Sequence, residues 1–399
     1  MHPGNQNPKA TRILEELVQL LDIPPGYYQK TVDRYESMAT YFHRPQSTIR
    51  HLDPLVHPHG SFRLGTVIRP LFPDEGYDLD LVCRVAADKR SISQEDLKKL
   101  IGGEVTSYSR ENGFKEGPIE KRRCWTQHYQ DEVKFHMDVL PSIPAGDRYR
   151  RQLQEAGISQ DLIAEAINIT DNTEPNYSYI SPDWPRSNPR GFAIWFDWRM
   201  DDGGLASQSR RRLFEKNAGV YASVDEVPAS ELKTPLQRVI QLLKRHRDQM
   251  FRTDCKGKPI SIIITTLAAR AYNGEADLSA AMAGVLAKMG EFVSQSRPRI
   301  PNPVDPNEDF TDRWDAKLED NFWRWLRQAQ RDFAQMAKSD LTKGSLERQL
   351  EESFAVRMSP ETMAAFAFPA LGAPAIIVGQ DRQVTTIRKD AASSWGGRG

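Results

Sequence analysis

Two aspartates separated by one residue, Asp78 and Asp80, are the side chains of this chain best suited to bind a metal ion. They begin the segment 78–85, DLDLVCRV, whose alternation and β-forming residues predict a strand. Side chains alternate between the two faces of a strand, so both carboxylates point the same way. Two neighbouring carboxylates repel each other unless a cation lies between them, and a divalent metal ion is the usual cation.

A third carboxylate, Asp138, lies in the segment 133–140, VKFHMDVL, which alternates in the same manner. Asp138 is expected to end a strand beside the first one, which brings three aspartates to one patch. Three carboxylates with Mg²⁺ suit phosphoryl transfer from a nucleoside triphosphate to a hydroxyl. Two ions roughly 3.5–4 Å apart stabilise the entering and the leaving oxygen.

A turn of small residues, Gly60-Ser61, precedes the two aspartates. Its backbone N–H groups and hydroxyl are suited to triphosphate oxygens, as in other small-residue loops. A strand end with unrelated surface aspartates is the alternative interpretation. The order of the turn, the aspartate pair and the lone aspartate favours a catalytic site over this alternative.

The segments GSFRLGT, YDLDLV and HMDVLPSIP resemble the bacterial cGAS/DncV-like nucleotidyltransferases (CD-NTases) of anti-phage signalling, within the nucleotidyltransferase superfamily. Sixteen residues, Phe62 to Tyr77, separate the turn from the aspartate pair, a longer gap than is usual in the superfamily. The resemblance covers about residues 10–340. It implies an α+β fold with a polymerase β-like mixed-sheet core, an N-terminal spine helix and a C-terminal helical domain. The active site would lie in the cleft between them.

The resemblance also implies roles for individual residues. Asp78 and Asp80 would hold two Mg²⁺ ions, with Mn²⁺ as a substitute, while Asp138 completes one metal site and helps to activate the attacking 3′-hydroxyl. Lys244, on the helix that begins at Thr234-Pro235, would reach the triphosphate. Independently of the resemblance, the free N–H groups at a helix N-terminus suggest that Ser261 meets phosphate. From the residues alone, a solvated lysine and a plain N-cap serine remain alternatives.

Composition sets limits on the class of protein. The chain has 399 residues, 39% of them hydrophobic and 27% charged, which is typical of a soluble globular protein with two domains. Its formal net charge of zero argues against a long nucleic-acid duplex as an obligatory partner. The three isolated cysteines predict reduced thiols, and no apolar run reaches the roughly 18–20 residues of a spanning helix. A cytoplasmic protein without a membrane partner is therefore expected.

The predicted organisation has three parts. Residues 1–225 form the catalytic core, with helices at 10–22 and 27–43 packed behind the sheet. Residues 226–345 form a helical nucleotide-binding domain, after a composition shift near Ala222–Ser230, and residues 346–399 form an extension with a flexible tail. The aromatic segment 175–200 either stacks on bases or belongs to the core.

The leading functional hypothesis is a template-independent nucleotidyltransferase. It would join nucleoside triphosphates, ATP among them, into a cyclic di- or trinucleotide with release of pyrophosphate, using no DNA or RNA template. Transfer to an RNA 3′ end, a small molecule or a protein, and linear oligoadenylate synthesis, are alternatives. A catalytically inactive binding protein is the hypothesis from another class, although all three aspartates are present.

The C-terminal residue gives a further hypothesis about partners. Some operons of the resembled family encode E1/E2-like enzymes that conjugate the C-terminus of the synthase. Gly399 is therefore a predicted conjugation point, because glycine places no Cβ near the reacting carbonyl. A frayed terminus is the alternative.

Overall fold

The computed structural model describes residues 7–72, 75–130, 134–200, 233–366 and 368. The predicted domain boundary at residues 225–226, the composition shift before it and the C-terminal tail with Gly399 lie outside these ranges. The conjugation hypothesis therefore stays a prediction.

The described helices are numbered in chain order. They are α1 (Pro8–Leu21), α2 (Pro25–Phe42), α3 (Gly60–Arg63), α4 (Gln94–Glu111), α5 (Asp147–Glu155), α6 (Gln160–Ala164), α7 (Pro189–Met200), α8 (Pro235–Met250), α9 (Ser261–Ala271), α10 (Leu278–Lys288), α11 (Ala316–Met336), α12 (Lys343–Phe354) and α13 (Pro360–Ala364). The strands are β1 (Leu55–His59), β2 (Tyr77–Arg84), β3 (Ile119–Glu120), β4 (Trp125–Gln130), β5 (Lys134–Pro144), β6 (Ile167–Ile169), β7 (Arg186–Ser187), β8 (Pro301–Asn302) and β9 (Asp305–Asp309).

A mixed sheet carries the candidate catalytic residues. Its strands lie in the order β1-β2-β5-β4-β3, and β6 and β7 continue it beside the end of β5. Only β2 and β5 run parallel among the described pairs of this sheet. β5 is longer than predicted, because residues 141–144 pair with β2 on one side and β6 on the other. Asp138 therefore lies within a strand and not at its end.

Two large hydrophobic cores contain most of the described helices, and a smaller one joins α5 to α6. One core joins the sheet to α2 and α4, whereas the other joins α1 and α7 to the helices from α8 onward. The prediction that both N-terminal helices pack behind the sheet is right for α2 and wrong for α1. The apolar stripe of α1, with Ile13, Leu17 and Leu21 fully buried, packs against α8 and α10.

The helical region extends beyond the predicted limit at residue 345. That position lies inside α12, whose Leu346 and Leu350 are buried in the helical core. In the aromatic segment, Phe196 is a fully buried core residue, while 47% of Trp198 is exposed. Among the described helices, none is both long enough and apolar enough to cross a membrane.

Candidate functional site

The register of β2 and β5 brings the three predicted aspartates together. Asp80 lies opposite Asp138, and Asp78 lies opposite His136 on the parallel neighbouring strand. Paired residues of neighbouring strands share a face, so all three carboxylates project from one face of the sheet, here called the catalytic face. A slip of one residue would turn Asp138 to the other face. Their catalytic roles stay predictions.

Two further polar side chains extend this row across the sheet. His59, the last residue of β1, lies opposite Asp80, and Thr126 of β4 lies opposite Asp138. The Thr126 hydroxyl donates a hydrogen bond of 2.5 Å to Asp138 Oδ1, which fixes that carboxylate. Sequence reasoning missed both residues, although His59 directly precedes the Gly60-Ser61 turn.

The raised pKa values of Asp78 and Asp80 indicate that a bound cation would stabilise their ionised forms. Burial and the charge of Asp138 raise the pKa of Asp80, against the opposing effects of His59 and Lys244. The side chain of Asp78 remains 78% exposed, but protein atoms of the cleft displace part of its water. This desolvation, together with the charge of Asp80, raises the pKa of Asp78. A bound cation would reverse these shifts.

The donor set fits a hard divalent ion in its chemistry. Carboxylate oxygens are the ligands that Mg²⁺ and Mn²⁺ prefer. Within the part of the chain that the structure describes, no three His, Cys, Asp or Glu side chains are grouped tightly enough to hold an ion as they stand. The three aspartates must therefore turn toward one another to share an ion.

The Gly60-Ser61 turn adjoins the catalytic aspartates. Gly60 begins the single-turn helix α3 with a φ of +64°, in the left-handed region. A Cβ at this position would lie 2.3 Å from Asp80 Oδ2, so only glycine fits. The start of the Gly60-Ser61 turn therefore lies against Asp80. Nucleotide binding by Gly60 and Ser61 stays a prediction.

A row of polar side chains on α8 holds the chain that follows this turn. The row, here called the α8 polar stripe, consists of Gln237, Gln241, Lys244 and Arg245, all of them buried. Each donates to a backbone carbonyl of the segment 64–70, here called the post-turn loop. The four bonds are Gln237 Nε2 to Leu64 O (2.8 Å), Gln241 Nε2 to Val67 O (2.7 Å), Lys244 Nζ to Thr66 O (2.9 Å) and Arg245 Nη2 to Arg69 O (2.6 Å).

Gln237 also secures the start of its own helix. Thr234 and Gln237 form a reciprocal capping box, with Pro235 at the first helical position, as the sequence predicts for this helix start. Gly65, with a φ of +66°, lies so close that a Cβ there would be 2.4 Å from Gln237 Nε2. The post-turn loop and α8 therefore pack without space between them.

Lys244 lies where the helix approaches the catalytic strand. Burial and the nearby Arg247 lower the pKa of Lys244 to about 7, while Asp248 and Asp80 act in the opposite direction. The ammonium is within electrostatic reach of Asp80, but its hydrogen bond is to Thr66 O. Its predicted contact with a triphosphate stays a prediction.

Ser261 is the first residue of α9, but the residue at the cap position is Ile260. The interpretation of Ser261 as a plain N-cap is therefore wrong. Its hydroxyl accepts a hydrogen bond of 3.0 Å from Arg247, a buried cation that also pairs with Asp248. Lys258 pairs with Asp248 as well, at 2.9 Å. Ser261 thus lies beside the cation Arg247, and its contact with phosphate stays a prediction.

Comparisons with known proteins agree with this geometry. The family model for the nucleotidyltransferase domain of DncV-like cyclic GMP-AMP synthases matches residues 54–141, which include the turn and all three aspartates. A c-di-GMP synthase of Roseivirga ehrenbergii is 26% identical over 320 residues, covering 79% of this chain and 76% of that protein. The cyclic dinucleotide synthase CdnG of Bradyrhizobium diazoefficiens is 24% identical over 371 residues, covering 89% and 82%.

Solved structures show the same fold over most of the chain. The structure of Bradyrhizobium diazoefficiens CdnG in complex with GTP aligns with a TM-score of 0.62 and 22% identity, covering 89% of this chain and 97% of that one. The Vibrio cholerae di-nucleotide cyclase DncV, in complex with ATP, GTP and 5MTHFGLU2, aligns with a TM-score of 0.52 and 15% identity, covering 89% of each chain.

The predicted fold class, a mixed-sheet core followed by a helical region, is confirmed by these alignments and by the strand order. Nucleotidyltransferases are enzymes that generally use divalent metal ions. The matched domain contains the aspartate pair, the lone aspartate and the small-residue turn in the order that the motifs predict. Residues 54–141 therefore match the nucleotidyltransferase domain of DncV-like synthases, and most of the chain is similar to bacterial cyclic dinucleotide synthases.

Proposed function

We propose that this enzyme joins two nucleoside triphosphates into a cyclic dinucleotide with release of pyrophosphate, without a template, and that the product signals in anti-phage defence. The observation that carries the proposal is the pairing of Asp80 with Asp138 beside the Gly60-Ser61 turn. The two relatives, named as a c-di-GMP synthase and a cyclic dinucleotide synthase, favour a dinucleotide product over a trinucleotide and guanine among the bases.

In this mechanism the catalytic face positions the reacting groups. Asp78, Asp80 and Asp138 would hold two Mg²⁺ ions, which supply charge stabilisation for the entering and leaving oxygens when bound. The Gly60-Ser61 turn directs its N–H groups and hydroxyl toward the triphosphate. Asp138, fixed by Thr126, orients the attacking 3′-hydroxyl. Asp138 would accept the proton of the hydroxyl while its oxygen bonds to the α-phosphorus; the bond to the bridging oxygen breaks, and pyrophosphate leaves. A second transfer of the same kind closes the ring and releases the second pyrophosphate.

The α8 polar stripe contributes by positioning. Its hydrogen bonds hold four carbonyls of the post-turn loop, so the turn keeps its distance from Asp80 while the substrate binds. Holding the reacting groups in place is a large part of catalysis for phosphoryl transfer. Lys244 and Ser261 would contact the triphosphate from the helical side.

Product analysis tests the proposal. Purified protein is incubated with Mg²⁺ and each α-³²P-labelled nucleoside triphosphate, alone and in pairs, and the products are treated with phosphatase. A cyclic product retains its label, because it has no terminal phosphate. The Asp78→Asn/Asp80→Asn variant is the control and should form none. Release of the 5′-terminal label alone, with the bridging phosphodiester label retained, would instead favour a linear product, and complete release would mean that no phosphodiester bond had formed.

A further inference from the structure

An apolar groove lies on the helical region, where α1, α10 and α11 meet. It has a volume of about 330 Å³, within the usual range for ligand sites, and we call it the α1 groove. Two small and exposed side chains on the facing helices, Ala283 and Ala334, leave this space open. Larger buried side chains form its floor, among them Leu14, Met282 and Phe333.

The α1 groove offers few polar contacts. Among the described residues, none that lines it is charged, and its polar side chains are Ser279 and Gln330. Gln330 already donates a hydrogen bond of 2.8 Å to the carbonyl of Leu286. A polar occupant would lose its water without gaining partners, so the groove suits an apolar one.

The last residue that the structure describes, Phe368, lies beside this groove. Its ring centroid is 4.4 Å from Lys9 Nζ, and that ammonium also donates to the carbonyl of Leu341 at 3.2 Å. Lys9 is followed by Ala10, which lines the groove, and Leu341 lies four residues beyond Ala337, which lines it too. The described chain therefore ends next to the groove.

The chain approaches this point along α1. Arg12 Nη1 donates to the carbonyl of Ala365 at 3.1 Å, and the Arg12 guanidinium carbon lies 5.7 Å from the ring centroid of Phe366. Phe368 contacts Lys9, which is three residues closer to the start of the helix. The described chain is therefore directed toward the N-terminus of α1, and this end of the helix contributes to the groove.

The ten residues that follow Phe368 are entirely apolar. They read PALGAPAIIV (369–378), without a charged or hydrogen-bonding side chain. The two prolines, Pro369 and Pro374, disfavour a helix and favour an extended conformation. At about 3.3 Å per residue, such a segment spans up to about 33 Å, whereas the part of α10 that lines the groove is about 12 Å long.

We propose that residues 369–378 bind in the α1 groove of the same chain, with Leu371 and the pair Ile376-Ile377 against its floor. The segment is apolar like the groove, begins beside it and is long enough to follow it. Burial of both surfaces removes apolar area from water, and attachment to the same chain gives the segment a high effective concentration. The groove belongs to the helical core and not to the catalytic face, so this inference does not depend on the proposed synthesis.

Photo-crosslinking of the full chain tests the occupant. The photoreactive amino acid p-benzoylphenylalanine replaces Leu371 or, in a second protein, Ile377. Illumination should link it within the same chain to peptides that contain Met282 or Met336 of the groove, since methionine side chains react readily with excited benzophenone. The same amino acid in place of Ser393, in the polar part of the tail, is the control and should give at least about tenfold fewer of these links.

Charges introduced into the groove should exclude the segment. Ala283→Arg/Ala334→Arg should reduce the links from position 377 by about tenfold, because the arginines keep their water and the apolar segment cannot replace it. Ala280→Arg is the matched control, because Ala280 is exposed on α10 but does not line the groove. Its links should be unchanged.

Thermal unfolding gives a second readout without a photoreactive group. Ile376→Asp/Ile377→Asp should lower the melting temperature by about 3 °C or more, because apolar burial is lost. Ile387→Asp, beyond the apolar segment, is the control and should leave the melting temperature unchanged. Added to the groove variant, the segment variant should cause little further decrease, since both remove the same contact. Circular dichroism checks that each variant is folded.

Three results would overturn the proposal. Links between two chains would assign the groove to a second copy of the protein. Links to other regions, or none in the purified protein, would leave the groove to a separate partner. An unchanged melting temperature of the segment variant would show that residues 369–378 are not buried against the helices.

Discussion

The catalytic face and the α8 polar stripe both contain charged side chains. The two regions differ in how far the protein provides these side chains with hydrogen-bond or charge partners. On the catalytic face, the pKa values of Asp78 and Asp80 are raised by desolvation and by a neighbouring aspartate, Asp80 for Asp78 and Asp138 for Asp80. On α8, each of the four polar side chains is buried and donates to a backbone carbonyl. Side chains whose charge is unmet in the protein are available to a ligand, whereas satisfied side chains hold the fold.

The largest effect is expected from a change of Asp78 and Asp80, whose negative charges are not fully compensated within the protein. Asp78→Asn/Asp80→Asn keeps the shape but removes both charges, and product formation should fall by roughly 10³-fold or more. The raised pKa of each aspartate means that its ionised form destabilises the folded state at neutral pH. The variant should therefore unfold at an equal or higher temperature, measured by calorimetry at pH 7. Wild-type turnover with Mg²⁺ would refute the assignment.

The second prediction concerns Gly60, which lies between the catalytic face and the post-turn loop held by the α8 polar stripe. Gly60→Ala places a Cβ 2.3 Å from the present position of Asp80 Oδ2, at a φ that disfavours side chains. The turn and the carboxylate must separate, so kcat/KM should fall by about 10²-fold. Gly103→Ala is the control, because a Cβ there meets nothing within 4 Å, and its activity should be unchanged. Equal activities of the two variants would show that the close approach is unimportant.

A smaller effect is expected from a change in the α8 polar stripe, whose side chains already have hydrogen-bond partners. Gln237→Leu removes the bond to Leu64 O and half of the capping box, which should lower the free energy of unfolding by about 1–3 kcal/mol. The loosened turn should raise KM for the nucleotide by about tenfold. Gln154→Leu, an exposed glutamine on α5, provides the control. Chemical denaturation and initial rates measure the two quantities, and an unchanged KM would mean that the stripe holds only the fold.

Lys244 should give the smallest change at neutral pH. Its pKa, near 10.5 in the unfolded chain, is lowered to about 7 in the folded protein, so the unfolded state binds more protons between these values. The free energy of unfolding should therefore gain roughly 1 kcal/mol per pH unit from pH 7 toward 10 from this group. Lys244→Met should lose that rise, as measured by denaturation at several pH values. Parallel curves for the two proteins would contradict the buried, deprotonating lysine.

Local patterns made most of the site predictable. The alternation of β2 and β5 placed Asp78, Asp80 and Asp138 on single faces, and the two strands were expected to lie side by side, although their parallel direction was not predicted. His59 and Thr126 were missed, because their place depends on which residues pair across strands, and alternation within one strand does not specify this.

Helix partners were harder to predict. The apolar stripe of α1 is visible in the sequence, but it contains no information on whether a sheet or other helices cover it. Lys244 was expected to reach the triphosphate because the family resemblance implies it, and the residues alone allowed a solvated lysine as the alternative. The structure buries it instead, since the carbonyls of the post-turn loop lie within reach only after the chain has folded.

The docking of α1 against α8 and α10 has a consequence for biosynthesis. The helix emerges from the ribosome before its partners, which begin more than 200 residues later, at Pro235 and Leu278. At 5–20 residues per second, the apolar stripe waits roughly ten to fifty seconds for its partners. During that time it is a binding site for chaperones and a risk for aggregation. A nascent chain stalled before residue 235 should therefore retain chaperones that the finished chain releases.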